Sequence, residues 1–150
     1  MDTNWGHAIR FAMEQDSRPT LEEHNAFRRS HFDPDLGDVG SASQQEIETI
    51  YRISYWMPYG PTLPSGLDLF FFDTAAADGV PSAVKALQRA LDVDPDGHIG
   101  IVTTEALITS IRTRKVSEVL DRYAVERVSL KSTPARLDAA LAAAKELIRY

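Results

Sequence analysis

Apolar side chains along this chain recur three and four positions apart almost throughout, the spacing that lines one face of an α-helix. The densest stretch covers residues 64–103. There Leu67, Phe70, Phe71 and Ala75 trace one helix, with Ser65 as its entry cap and Asp78-Gly79 as its stop. Pro81 opens a second helix that carries Val84, Leu87 and Leu91 inward. Two such helices joined at one glycine predict a buried hairpin, and few other segments can bury as much surface. Upstream, Trp5, Ile9, Ala12 and Met13 share one face of a helix over 4–15 with Asn4 as its cap. Thr20 with Glu23, and Ser43 with Glu46, are capping-box pairs that open two more helices. The first of these holds only Leu21 and Phe27 as large apolar residues and is expected at the periphery. The second runs through Ile47, Ile50, Tyr51 and Tyr55 to about Trp56 and is expected to be buried. Helices over 103–113 and 115–130 follow, and Thr133-Pro134 starts a last one with Leu137, Ala140, Leu141, Ala144 and Ile148 on one stripe. Residues 30–42 and 57–66 read as loops, the latter broken by three prolines. No convincing strand-type alternation occurs, so the expectation is an all-α fold of about seven helices.

Composition narrows the functional classes. At 150 residues, 43% hydrophobic and 25% charged, the chain has the make-up of one globular domain. A formal net charge of −6 argues against general nucleic-acid binding, which needs clustered Lys and Arg against phosphates. Cysteine is absent, which excludes disulfides, thiolate metal sites and a cysteine nucleophile. No apolar run is long enough for membrane insertion. The first residues show no basic start followed by an apolar stretch, so no signal peptide is expected.

The candidate chemistry is carboxylate and aromatic. Asp92, Asp94, Asp96, Gly97 and Ile99 match the opening positions of a calcium loop, but Thr103 stands where that loop needs its bidentate Glu. An acidic turn is the better reading. His7, His24, His31 and His98 share no zinc-type spacing, and no nucleophile elbow, phosphate-cradling loop or dinucleotide fingerprint is present. No metal or cofactor is therefore expected. Glu14, at a helix end beside apolar neighbours, suits a general acid, which burial helps to keep protonated. A solvated helix-terminal Glu is the plain alternative. Asp68 and Asp73 lie in the most apolar helix; buried there, Asp73 must be paired or hydrogen-bonded, a structural role bonding a neighbouring loop is favoured, and a catalytic role is the minority reading. Tyr51, Tyr55, Trp56 and Tyr59 form an aromatic cluster able to stack on sugar rings or to pack the core. Core is favoured for Tyr51, and the two readings are level for Trp56 and Tyr59.

Several of these strings resemble one family. Residues 50–56, IYRISYW, are similar to the I-Y-R-x-x-Y-W signature of glycoside hydrolase family 108 endolysins, phage or prophage muramidases also described as secretion activators. Residues 63–93 resemble that family's L-P-x-G-x-D…F-D…G…A-x-x-x-L-Q-x-A-L, and residues 97–103, GHIGIVT, lie in a string similar to its D-G-x-I-G-P-x-T. The resemblance spans roughly Ser43 to Ile111. It implies a lysozyme-like single domain, with residues 1–60 as the muramidase region and 61–150 as a peptidoglycan-binding-like helical region. It also implies the glycan strands of bacterial peptidoglycan as the target and Glu14 as the catalytic acid; with that target, Tyr55, Trp56 and Tyr59 of the aromatic cluster, and Asp73, are the candidate substrate contacts. Gln15-Asp16 stand where the family has two glycines, and most of the glycine- and aspartate-rich hairpin that follows them is missing. The family's C-terminal Gly-Trp-x-x-Arg is replaced by other sequence. Two readings follow: a muramidase made in a bacterial cytoplasm and acting at the wall, or a catalytically silent lysozyme-like module binding glycan or a phage or host protein, which a virion component would also fit.

Overall fold

The structure, a computed structural model, describes residues 4–15, 20–31, 33–38, 40–57, 59–131 and 133–148. Among them are eight α-helices and no strand, so the fold is all-α as the periodicity predicts. The helices are α1 (Trp5–Glu14), α2 (Leu21–His31), α3 (Gln44–Tyr51), α4 (Leu67–Asp78), α5 (Val80–Ala90), α6 (Ile101–Thr113), α7 (Val116–Arg127) and α8 (Pro134–Glu146). A π-helical turn, Arg52–Trp56, continues α3, and a short 3-10 turn, Gly60–Thr62, precedes α4.

Helix α4 is the axis of the molecule. Every residue from Leu67 to Ala75 is buried, Asp68, Asp73 and Thr74 included. It has no solvent face over that span because α1, the π turn, the 3-10 turn, α5, α7 and α8 all pack on it. Phe70, Phe71 and Phe72 are each fully enclosed, and each contributes about 1.5–3 kcal/mol of burial. The predicted hairpin with α5 is present, joined at Gly79, whose φ of 93° is a conformation that β-carbon-bearing residues rarely adopt. Helix α5 turns Ala83, Val84, Leu87 and Ala90 inward and packs chiefly on α4 and α7. Tyr123 of α7 seals that contact, its ring edge-on to Phe70 at 4.9 Å and its hydroxyl donating to the Ala83 carbonyl at 2.7 Å.

The entry to α4 differs from expectation. Gly66, at φ 95°, occupies the cap position, and the Ser65 hydroxyl instead accepts from the Asn4 amide at 3.1 Å. The same Asn4 amide donates to Asp68 at 2.9 Å, so Asn4 ties the start of α1 to α4 rather than capping its own helix. Asp68 does the local work, with Oδ1 accepting from the backbone of Gly66 and Leu69. Both capping boxes form: the Glu23 N–H donates to the Thr20 hydroxyl, and that of Glu46 to the Ser43 hydroxyl. The acidic turn at 92–97 is organised by buried Gln88, whose amide donates to Asp96 Oδ1, the His98 carbonyl and the Thr103 hydroxyl. Asp92 pairs with Arg122 at 2.7 Å. Thr103 is thereby an interior acceptor, and α6 begins two residues before it. No group of three or more His, Asp or Glu placed to hold a metal occurs among the described residues.

Candidate active site

Glu14 is the last residue of α1 and is exposed. The apolar enclosure expected around it is absent; Phe11, one turn back, is buried instead. Helical spacing places His7, Arg10 and Glu14 on one face of α1, and that face forms one wall of a shallow groove of about 190 Å³. Leu69 of α4 and Phe11 contribute apolar lining, and α8 supplies Ala143 and Glu146. Glu14 therefore shares its groove with a second carboxylate from a different helix. Glu146 was not singled out from the sequence because its register against α1 is set by packing across a separation of 132 positions, not by local pattern. His7 and Arg10 were legible in principle, seven and four residues before Glu14.

On the other side of the α1 terminus, Gln15 lines a second groove of about 280 Å³ with Ala77, Lys131, Thr133 and Arg136. A third cavity, about 410 Å³, lies between α2 and α3, with Phe27, Leu36 and Ile50 as its apolar lining and Arg28, Gln45 and Thr49 among its polar lining. At its edge His24, 2% exposed, donates from Nε2 to Glu46 at 3.0 Å. Hydrogen bonding to Ser43, and secondarily to His24, holds the Glu46 carboxyl below its ordinary range.

The aromatic cluster divides. Trp56 is 1% exposed, tilted against Trp5 at 5.6 Å and edge-on to Phe72 at 5.9 Å. Tyr51 is equally buried, and burial pushes its phenol well above the ordinary value. Both therefore belong to the core, and Trp56 offers no free ring face to a sugar. Tyr55 and Tyr59 are half-buried, Tyr59 resting edge-on against Phe71 at 5.8 Å, and so keep part of each ring at the surface. The signature string 50–56 thus serves α4 first: the π turn places Tyr51 and Trp56 against Phe72 and lets Arg52 lie 5.6 Å over the Trp5 ring.

Asp73 is fully buried and its carboxylate is claimed from two helices. Arg127 of α7 donates to Oδ2 at 2.6 Å, and Arg136 of α8 donates to Oδ1 at 2.7 Å. Arg127 also lies 4.0 Å from Asp78. The substrate contact considered for Asp73 is thus closed to it directly; it reaches a surface groove only through Arg136. Sequence reasoning anticipated that a buried Asp73 needs a partner, but neither arginine was visible as that partner, 54 and 63 positions away.

No curated protein sequence matches this chain. Among solved structures, that of Brucella abortus SagA is similar to it, with a TM-score of 0.68 and 25% identity, covering 84% of this chain and 78% of that one. The family model for glycosyl hydrolase 108 matches residues 2–79, which include α1 with Glu14, the π turn and all of α4. With that match over more than half of its length, the chain belongs to glycosyl hydrolase family 108.

Proposed function

We propose that this protein acts on the glycan strands of bacterial peptidoglycan in an endolysin-type role, encoded by a phage or prophage, with Glu14 as the general acid. The observation that carries the reading is the coincidence of family match and geometry: the matched region supplies a carboxylate at the α1 terminus, open to a groove that holds a second carboxylate. Cleaving a glycosidic bond requires one group to protonate the leaving oxygen and another to serve the opposite face of the sugar. Glu14 fills the first role. Glu146 is the other carboxylate lining that groove among the described residues and is assigned the second. Within the aromatic cluster, Tyr55 and Tyr59 keep ring surface for sugar contact, whereas Trp56, like Asp73, is enclosed in the core. The chain works as one lysozyme-like unit, with residues 61–150 holding the framework on which the muramidase region 1–60 sits.

The exposure of Glu14, and Gln15-Asp16 in place of the family's glycines, favour a second reading: a silent module that binds wall glycan, or a protein partner, without cutting. Turbidity clearing of wall suspensions separates the two. Clearing by wild type, reduced at least about 100-fold in Glu14→Gln, supports the enzyme. Absence of clearing by wild type, with sedimentation alongside walls retained, supports the silent module.

A further inference from the structure

The groove beside Gln15 combines features that the proposed hydrolytic site does not use. Of the five described residues that line it, two are cationic (Lys131 and Arg136) and none is acidic, in a chain whose net charge is −6. Arg136 is not a swinging surface arginine. Its Nε and Nη2 are both held on the Asp73 carboxylate, and its side chain is only 16% exposed. Asp73 is in turn shared with Arg127, so its single negative charge is divided between two guanidinium groups. Among the five described residues of this cluster, Asp73 and Asp78 supply two negative charges against three positive ones from Arg127, Arg136 and Lys131, an excess of one positive charge. The Lys131 backbone N–H donates to Asp78 Oδ1 at 2.8 Å, fixing that residue's main chain, while its ammonium makes no hydrogen bond or ion pair with a described residue.

We propose that this groove binds a carboxylate of the wall polymer, taken by the Lys131 ammonium beside the positive field of Arg136, with the Gln15 amide as a further donor. The identity of the ligand rests on the wall-directed reading above. The physical reason is selectivity of approach: a chain of net charge −6 is repelled by a polymer rich in carboxylates, and a preorganised cationic groove next to the Glu14 terminus gives such a polymer a place to anchor. Asp73 acts as a positioning residue here, because a guanidinium already oriented by a buried carboxylate loses little freedom when an anion arrives.

Two sources of carboxylate exist in such a polymer, the acid-bearing amino sugar and the short peptides attached to it. Amide shifts of the isotopically labelled full chain test the groove against three probes: N-acetylmuramic acid, a soluble muropeptide, and the N-acetylglucosamine dimer, which has no carboxylate. The expected result is that the acidic probes shift Gln15, Ala77, Lys131 and Thr133, that the neutral dimer leaves these four in place, and that Lys131→Gln weakens the acidic probes about tenfold. The tighter of the two acidic probes identifies the source. Equal shifts from neutral and acidic probes, no shift at these residues, or no effect of Lys131→Gln overturns the proposal. Lys131 is exposed, so its replacement is compatible with folding. The two readings fail separately. Wall clearing without shifts at the groove overturns only the groove, whereas carboxylate-dependent shifts in a protein that neither clears nor sediments with walls overturn only the wall-directed function.

Discussion

Asp68 and Asp73 sit five residues apart in the most apolar helix of the chain, yet they are stabilised in different ways. Asp73 faces two arginines and is fully enclosed. Removing its charge leaves Arg127 buried without its closest anion, so Asp73→Asn is expected to cost about 3–5 kcal/mol in denaturant unfolding; a loss below about 1 kcal/mol contradicts the pairing. Among the described residues Asp68 has only neutral donors: Asn4, Gly66 and Leu69. Burial raises its carboxyl above the ordinary 3.8, and those hydrogen bonds offset the rise only in part. The folded protein therefore holds this proton more tightly than the unfolded chain does. Its contribution favours folding below 3.8 and is lost as pH climbs through the folded value. Asp68→Asn lacks that loss, so the stability of the variant relative to wild type should rise between acid and neutral pH. A difference that is flat, or falls with pH, refutes this. From sequence, both aspartates stood out as polar residues in an apolar run, but which one would find cations depended on α7 and α8 arriving beside α4.

The helices themselves were largely legible, because their signals are local. Thr20 with Glu23, Ser43 with Glu46, and the glycine between α4 and α5 act within four residues, and each does in the structure what its type dictates. The misread element ends are those where a side chain was recruited elsewhere. Asn4 and Ser65 bond to each other, and Thr103 accepts from Gln88, leaving the caps to Gly66 and Gly100. The π turn carried no separate warning either, since its aromatic spacing also suits a continued α-helix. Gly66 shows how tightly these ends are packed: a β-carbon there meets the Ala144 carbonyl oxygen of α8 at 2.7 Å, on a residue already at φ 95°. Gly66→Ala should lower stability by more than about 1 kcal/mol in thermal or denaturant melts. Gly100→Ala, with nothing within 4 Å of the added carbon, should change it by no more than about 0.5 kcal/mol. Equal effects at the two positions contradict the close approach of α4 and α8.

At the scale of the whole molecule, α1 ends between two grooves of different character. One carries Glu14 and Glu146 with His7 and Arg10, and the other carries Lys131 and Arg136. Glu14 was visible in advance, from its place at a helix end and through the family resemblance, and His7 and Arg10 share its helix; Glu146, Lys131 and Arg136 come from α8 or the segment before it, more than 110 residues away. If the two carboxylates cooperate, Glu146→Gln should reduce wall clearing at least about tenfold while leaving wall sedimentation unchanged. Unaltered clearing would remove Glu146 from the mechanism and leave Glu14 to act with solvent. The central claim, that this scaffold cuts glycan through Glu14, is tested most directly by counting new reducing ends released from purified peptidoglycan by wild type and by Glu14→Gln. The account predicts steady release by the wild type and a drop of at least about 100-fold in the variant at unchanged thermal stability. Release by Glu14→Gln at the wild-type rate, or none by either protein, contradicts it.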